Sequence, residues 1–426
     1  MRYSPHKRDI TILVGNTIDH FDTSLYIFLA PIIAPVFFPN TDKLLSLIMA
    51  YGILATSIIT KPLGTYLFGM IARLKVPVVA LSHSLIGVGV FTVLLGLLPG
   101  HATMGSVAPL LFVTFRVLRE IFAAGETSIA KLYILENKIG KEAFKGSYLY
   151  QVSTMLGIIL ASLAATIVHY IDITGSWRIF HILGGSAAVI GYVVRKITLP
   201  KENRILRSQF KFYGLDGLRI LWNHKLNLLR IAIVTGFSHM TYLIPFVTMN
   251  HMVPMITNIE EKTMIAVNSF MLFFDMVSIP FIGKLVSGYN PSQLMQIAST
   301  ILALSTLPLW YFIADSSIYY VTFVRFWIVI WGVVYMCPLN LWCKNQVRGE
   351  EKYMIVGMGS TFGASTVGKL TPFICLIIVH YTGSYLPIAL YIMIVFLLAG
   401  IVIRHRTLLP DNIESYNSLR VSTFGV

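Results

Sequence analysis

Charged residues are scarce in this sequence, and acidic ones are the scarcest. Only 12% of the 426 residues are charged, with 19 Asp and Glu against 33 Lys and Arg. Hydrophobic residues make up 56%, and the mean hydropathy is +0.73. A soluble globular domain carries roughly twice this share of charge, about 25%. The composition therefore excludes an ordinary soluble protein. It predicts an all-α polytopic membrane protein, because at this hydropathy only helices satisfy their own backbone in a bilayer.

Cysteines and catalytic motifs are also few. Cys337, Cys343 and Cys375 lie in or beside apolar stretches without a C-x-x-C spacing, which predicts free thiols. The sequence contains no HExxH, GxSxG or Walker A motif. We therefore expect no enzyme, no cofactor and no metal. The first apolar stretch is too long for a signal peptide and contains acids, so we expect it to stay as the first span.

Twelve apolar stretches are long enough to cross a bilayer, which takes about 20 residues. They are 11–37, 45–68, 76–98, 106–130, 147–170, 179–199, 227–256, 263–286, 293–313, 318–342, 353–379 and 385–403. They predict two six-helix halves, 1–199 and 227–403, with a cytoplasmic amphipathic linker over 200–226 and a short cytoplasmic tail over 404–426. Such a repeat is how many secondary transporters are built.

The net charge of +14 is distributed as the topology of a membrane protein predicts. Of the 33 Lys and Arg, 24 lie in segments that are cytoplasmic if the N-terminus is inside, and 3 lie on the opposite side. This asymmetry predicts that both termini are cytoplasmic in a bacterial-type inner membrane. It argues against nucleic acid as a partner and leaves membrane lipid, protons and a small-molecule substrate. We expect a monomer.

Two carboxylates lie inside the first span, in the stretch from Gly15 to Pro39. Each costs about 2.5–3.5 kcal/mol at the centre of a membrane helix. Asn16, Asp19, Asp22, Thr23 and Tyr26 fall on one face of the helix at about 100° per residue. The pattern predicts a polar pathway with other helices around it.

The fourth span carries Arg116, Arg119, Glu120 and Glu126 on one face. Charges at this depth must pair with one another, with another helix or with water. They indicate either neutralised structural ion pairs or a proton relay with an anion clamp. Asp19 or Asp22 facing Arg116 or Arg119 predicts a switchable pair, in which protonating the acid frees the arginine for a substrate carboxylate. A static salt bridge is the alternative.

The second half has thinner signals. Asn268 and Asp275 share a face of the eighth span, and Tyr242 and Pro245 indicate an interrupted, polar seventh span. A charge pair between Asp275 and Arg325 or Lys369 is a further prediction. His181 stands alone in its span and is typical of a packing residue. Glycine-rich runs (Gly87 and Gly89; Gly357, Gly359 and Gly363) predict close helix packing.

These motifs resemble the metabolite:proton symporter branch of the major facilitator superfamily, which includes proline/betaine symporters and dicarboxylate carriers. GNTIDHFDTSLYIFLAPIIAPVFFP resembles the first span of that family, and KPLGTYLFG (61–69) resembles its Arg-Pro-Leu-Gly motif. Arg116 stands where the superfamily has a fourth-span arginine, and AGE (124–126) resembles its Gly-Gly-Glu. GSWRIFHILGG, from Gly175, resembles the beginning of its sixth span. The resemblance covers about residues 11–200.

The resemblance implies a major facilitator fold that works by proton-driven alternating access. By position it implies coupling roles for Asp19, Asp22 and Glu126. Substrate-binding candidates, from the resemblance and from the residues themselves, are Asn16, Tyr26, Arg116, Arg119, Tyr242, Asn268 and Asp275. The gating candidates are Gly64, Gly69 and Arg73.

Two positions depart from the family pattern. Arg73 stands where the cytoplasmic loop signature has an Asp, and Arg119 and Glu120 replace Gln-Gly. We expect a proton-coupled importer of a small polar metabolite with a carboxylate, such as an osmolyte, amino acid or organic acid. A transporter-derived sensor or scaffold and a proton-independent uniporter are the alternatives, the first suggested by Arg73.

Overall fold

The computed structural model describes residues 5–39, 53, 56–74, 77–171, 175–198, 214–314, 316–347, 349, 351–382 and 384–404. The described residues form helices and connecting turns, with no β-strand among them. Most of the predicted linker and tail, and the beginning of the second predicted span, lie outside these ranges.

Six long helices form the first part of the chain. They are α1 (Pro5–Phe37), α2 (Ser57–Leu74), α3 (Pro77–Leu97), α4 (Val107–Tyr133), α5 (Gly140–Ile171) and α6 (Trp177–Thr198). Each overlaps one predicted span. A four-residue helix, His101–Met104, precedes α4.

Eight helices form the second part, because two of the six predicted spans are each divided. They are α7 (Lys225–Leu243), α8 (Met249–Ile256), α9 (Glu261–Val286), α10 (Pro291–Tyr311), α11 (Ile318–Lys344), α12 (Lys352–Gly363), α13 (Lys369–Thr382) and α14 (Leu386–Arg404). A short helix, Gly214–Asn223, precedes α7.

The two divisions are π-helical turns. Ile244–Thr248 joins α7 to α8, and Ala364–Gly368 joins α12 to α13. The first contains Pro245, whose missing N–H removes one α-helical hydrogen bond. The predicted interruption of the seventh span is thus confirmed. Single π turns within membrane helices are frequent at functional sites.

The chain divides into two compact units. Unit 1 comprises Met1–Ile134 and Ser153–Ile220, and unit 2 comprises Leu135–Val152 and Leu221–Val426. The first turns of α5 therefore group with unit 2. Lys344 of α11 holds them there, since its Nζ donates to the carbonyl oxygens of Leu135 (2.7 Å) and Lys138 (3.1 Å).

The helix pairs repeat from one unit to the other. In unit 1, α3 packs on α6 and α4, and α4 also packs on α2. In unit 2, α10 packs in the same way on α14 and α11, and α11 on α9. The equivalent pairings indicate a structural repeat, as the matching span counts predicted.

Glycines let several of these helices approach closely, as predicted. A Cβ on Gly89 would lie 2.8 Å from the carbonyl oxygen of Gly185, and one on Gly359 would lie 2.9 Å from the side chain of Ile231. Eight described helical segments are long and apolar enough to cross a membrane. Exposed apolar side chains such as Ile59, Leu285 and Leu304 suit contact with lipid. The chain is an integral membrane protein.

The apolar core of unit 1 lies beyond the polar face of α1. Phe37 stacks on Phe112 with ring centroids 4.3 Å apart and meets Trp177 edge-on at 6.1 Å. Leu25, Leu29 and further buried side chains extend this cluster along α1. This cluster packs α1 against α4 and α6, and the carboxylates of α1 face the arginines of α4.

Candidate functional site

Arg119 lies at the centre of a buried charge network in unit 1. Its Nη2 is 2.8 Å from Asp19 Oδ1, and its Nε is 2.6 Å from Asp22 Oδ2. Its Nη1 donates to Thr23 Oγ1 at 2.7 Å and to Glu120 Oε1 at 3.0 Å. The side chain is fully buried. Arg119 thus ties α1 to α4: both Nη atoms donate hydrogen bonds, and Nε lies at ion-pair distance from Asp22.

Arg116 contacts the same carboxylates at longer range. Its Nη1 is 3.6 Å from Asp22 Oδ2, and its Nη2 is 3.5 Å from Glu120 Oε1. The guanidinium lies over the ring of Tyr26, 4.2 Å from the centroid. None of its three nitrogens has a hydrogen-bond partner among the described residues. Its charge is therefore balanced while its donors remain available.

Lys61 of α2 completes the network, with its Nζ 3.6 Å from Glu120 Oε2. Three carboxylates then face three cations, so the formal charge is zero when all are ionised. The carboxylates are Asp19, Asp22 and Glu120, and the cations are Lys61, Arg116 and Arg119. The predicted pairing of α1 acids with α4 arginines is confirmed. Thr23 was expected on the same polar face, whereas the part played by Lys61 was missed.

His181 of α6 lies within electrostatic range of Asp22. It is buried, and its Nδ1 is 3.1 Å from the carbonyl oxygen of Trp177. Because that oxygen can only accept, Nδ1 carries a proton in this contact. The sequence indicated only a packing residue here, since nothing in it places α6 beside Asp22.

Glu126 forms a separate pair with Arg195 of α6. Two hydrogen bonds of 2.5 and 2.6 Å join the carboxylate to the guanidinium, and both side chains are fully buried. Arg195 also donates to the carbonyl oxygen of Leu81 on α3 at 3.2 Å. Gly15 of α1 lies directly against the pair, where a Cβ would contact both side chains. Glu126 therefore faces Arg195 rather than Arg119, with which its helical register aligns it.

Asn16 is bound by α5. Its Nδ2 donates to Ser153 Oγ (2.8 Å) and Thr154 Oγ1 (2.9 Å). Gly157 of α5 lies directly against the backbone of Thr17. These contacts join α1 to α5 and engage the amide that the sequence indicated for substrate.

The three gating candidates lie on α2. Gly64 packs directly against the carbonyl oxygen of Ile121, and a Cβ there would be 2.8 Å from Ala124 Cβ. Gly69 is buried, and Arg73 lies half-buried in the last turn. Residues 75–76 lie outside the described ranges, so gating at this end stays a prediction.

In unit 2, Asp275 of α9 is buried without a cation within ion-pair distance among the described residues. Tyr242 of α7 and Cys337 of α11 lie within its electrostatic range. Tyr242 also contacts the ring of Phe246 in the π turn, at 5.0 Å. The predicted charge pairs are wrong, since Arg325 contacts other groups and Lys369 is exposed.

Arg325 of α11 is fully buried beside Asn268 of α9. Its Nη2 donates to Asn268 Oδ1 at 2.5 Å, and its Nη1 lies 3.5 Å from the carbonyl oxygen of Met264. Asn268 lies about 10 Å from Asp275 along α9, since the two are two helical turns apart. Arg325 therefore contacts Asn268 and not Asp275.

The three cysteines are free and buried, as predicted. Within the described ranges, no group of three His, Cys, Asp or Glu side chains could hold a metal ion.

Comparison with known proteins places this geometry among transporters. No family model matches the chain. The chain is 25% identical to the alpha-ketoglutarate permease of Escherichia coli K12 over 322 residues, which is 72% of each protein. It is 21% identical to a putative proline/betaine transporter of Staphylococcus aureus MSSA476 over 399 residues, covering 92% of this chain and 85% of the relative.

Solved structures give the fold. The human organic anion transporter MFSD10 matches with a TM-score of 0.69 at 13% identity, over 94% of this chain and 100% of that one. The proton:xylose symporter XylE of the major facilitator superfamily matches with a TM-score of 0.66 at 13% identity, over 96% and 98%. The chain therefore has the major facilitator fold, and the predicted resemblance to metabolite transporters rather than enzymes is confirmed.

Proposed function

We propose that this membrane transporter of the major facilitator fold couples proton entry to the import of a small polar metabolite that carries a carboxylate. The observation that carries the proposal is the balanced network of three carboxylates and three cations in unit 1. The relatives named for alpha-ketoglutarate and for proline and betaine suggest an organic acid or a zwitterionic osmolyte. Alternating access would carry it across.

The coupling follows from the charge balance. Protonating Asp19 or Asp22 removes one negative charge and leaves the network with a net positive charge. A substrate carboxylate restores the balance, so proton and substrate favour each other's binding. Deprotonation on the cytoplasmic side then restores the acid as the competing anion and releases the substrate.

Arg116 is the better candidate of the two arginines for holding the substrate. Both Nη atoms of Arg119 donate hydrogen bonds, to Thr23, Glu120 and Asp19, and its Nε lies 2.6 Å from Asp22 Oδ2. Arg116 has charge partners at 3.5–3.6 Å and no hydrogen bond. A bidentate guanidinium–carboxylate contact is among the strongest that a buried arginine makes. The ring of Tyr26 would hold the guanidinium in place.

Glu126 fits a positioning role in this scheme. Its pair with Arg195 joins α4 to α6, and Gly15 holds α1 against both. His181 lies within electrostatic range of Asp22 and would tune the network from outside it. The predicted orientation, with both termini cytoplasmic, and the predicted monomer stay part of the proposal.

The test is uptake into proteoliposomes driven by an inward proton gradient. The panel contains alpha-ketoglutarate, proline, glycine betaine and a monocarboxylate, each with and without a protonophore. We expect accumulation of at least one carboxylate that collapses with the protonophore. Asp19→Asn and Asp22→Asn should abolish accumulation. Asp9→Asn, the same change on α1 outside the network, should preserve it.

Other results would reassign the protein. Full accumulation by both Asp19→Asn and Asp22→Asn would remove these acids from coupling. Equilibration that ignores the protonophore would indicate a uniporter. Saturable binding without flux would indicate a sensor, with Arg73 at the end of α2 as the first residue to restore to Asp.

A further inference from the structure

Arg325 is a buried cation whose partner is missing from the described chain. Its side chain is 0% exposed, and the buried arginines of unit 1, Arg116, Arg119 and Arg195, are at most 1% exposed. Each of those three lies within 3.6 Å of a carboxylate oxygen. Among the described residues, none of the acidic side chains lies within ion-pair distance of Arg325.

The contacts of Arg325 are neutral and few. Asn268 Oδ1 accepts one hydrogen bond at 2.5 Å, and the carbonyl oxygen of Met264 lies at the limiting distance of 3.5 Å. The Nε of Arg325 has no hydrogen-bond partner among the described residues. An isolated charge away from water is strongly unfavourable unless it is paired. Burying this guanidinium without a counter-ion therefore costs free energy, and a bound anion would lower that cost.

Asn268 is the more exposed residue of the pair, and its free groups determine which ligands could bind. It is half-buried, whereas Arg325 behind it is fully buried. Its Oδ1 is occupied by Arg325, so what it can offer a ligand is the two N–H donors of its amide. A guanidinium and an amide nitrogen together present donors only, which suits a carboxylate and excludes a cation.

We propose that Arg325 and Asn268 of unit 2 form a binding site for the carboxylate of the transported metabolite. The site deepens the proposed function and rests on it, since it adds an anion-binding residue that the sequence did not indicate. Asn268 was expected to contact substrate, but Arg325 was expected to pair with Asp275. The absent pair is what leaves the arginine to a ligand.

The experiment measures ligand binding by thermal unfolding of the purified full chain in detergent, without a proton gradient. Alpha-ketoglutarate, proline, glycine betaine and inorganic phosphate are titrated against wild type, Arg325→Gln and the control Arg230→Gln, another arginine of a unit 2 span. We expect Arg325→Gln to weaken carboxylate binding at least about tenfold, the scale of a lost charge-assisted hydrogen bond. Arg230→Gln should bind as wild type does.

The ligand-free proteins give a second readout. If Arg325 has no internal counter-ion, Arg325→Gln should unfold at a temperature no lower than wild type. Asn268→Asp places a carboxylate of the same size beside the guanidinium. It should raise the unfolding temperature and at the same time weaken binding of the external carboxylate, because the new side chain competes with it. Should Arg325→Gln fail to fold, Asn268→Asp decides the question.

Several results would overturn the site. They are wild-type affinity in Arg325→Gln, carboxylate binding unaffected by Asn268→Asp, and absence of carboxylate binding to wild type. Stronger stabilisation by inorganic phosphate than by any carboxylate would also overturn it, in favour of a phosphate such as that of a lipid headgroup. Binding at Arg325 without gradient-driven accumulation would refute symport and leave the site standing. Gradient-driven accumulation with unchanged affinity in Arg325→Gln would support symport and refute the site at Arg325.

Discussion

Among the described residues, unit 1 buries three arginines and unit 2 buries one, and only those of unit 1 have carboxylates beside them. Arg116 and Arg119 share Asp22 and Glu120, and Arg195 holds Glu126 with two hydrogen bonds. In unit 2, Arg325 contacts an amide and a backbone carbonyl. Asp275, buried in the same unit, has no cation within ion-pair distance among the described residues.

The difference separates two ways of keeping charge inside a membrane protein. A balanced network changes its net charge when one carboxylate is protonated, which is the basis of the proton coupling proposed for unit 1. An uncompensated charge attracts whatever ion can reach it, so unit 2 suits binding from outside the chain. The two units repeat the same helix pairings. The distinction therefore comes from side chains and not from fold.

The largest effect should come from breaking the pair between Glu126 and Arg195. Arg195→Gln leaves a fully buried carboxylate without its cation, which costs about 3–5 kcal/mol for pairs of this kind. We expect a clear loss of folded protein and a lower unfolding temperature in detergent. Arg325→Gln, the same change in unit 2, should show no such loss.

The double variant Glu126→Gln/Arg195→Gln checks the cause. It removes both charges and should recover most of the lost stability, since neither ion is left alone. If Arg325→Gln destabilised the protein as much as Arg195→Gln, Arg325 would have a counter-ion and the contrast between the units would be wrong.

A smaller effect should separate the two arginines of the network. Arg116→Gln should raise the KM for a carboxylate substrate by roughly 10- to 150-fold, the range for a charge-assisted hydrogen bond, with a modest change in stability. Arg119→Gln should lower the stability more, because Asp19 and Asp22 both lose their closest cation. The measurements are initial uptake rates against substrate concentration and thermal unfolding of each variant.

The outcome decides which residue binds substrate. A shifted competition profile in Arg119→Gln with unchanged stability would assign the substrate to Arg119, where the family has Gln. An unchanged KM in Arg116→Gln would remove Arg116 from the site. Either result would show that the free donors of Arg116 have no functional meaning.

The sequence predicted the fold and the unit 1 network for one physical reason. Charges within apolar spans are costly and must find partners, so Asp19, Asp22, Arg116 and Arg119 indicate one another. Helical periodicity supplies the face on which each lies. Acids on the polar face of α1 and arginines on that of α4 favoured the pairing of these two helices.

Helical periodicity gives neither the position of a side chain along the helix axis nor the identity of the helix beside it. The predictions that depended on these two quantities failed. Arg195 lies in the last turn of α6, where the sequence counted it among the charges that predict topology, yet its guanidinium binds Glu126. Asn268 and Asp275 share a face, yet Arg325 meets only Asn268 because the two differ in depth by two turns. A helical wheel shows angles around the helix axis and does not show this distance along it.

The smallest effect should come from Asp275→Asn, and it is the sharpest check on unit 2. Asp22→Asn leaves Arg116 and Arg119 short of a counter-ion, so it should lower the unfolding temperature. Asp275 has no cation to leave behind, so Asp275→Asn should stay within about 0.5–1 kcal/mol of wild type or gain stability. The measurement is thermal unfolding of both variants at one pH in the same detergent. A drop for Asp275→Asn as large as for Asp22→Asn would mean that unit 2 balances its charges internally. The contrast between a balanced unit 1 and an uncompensated unit 2 would then be wrong.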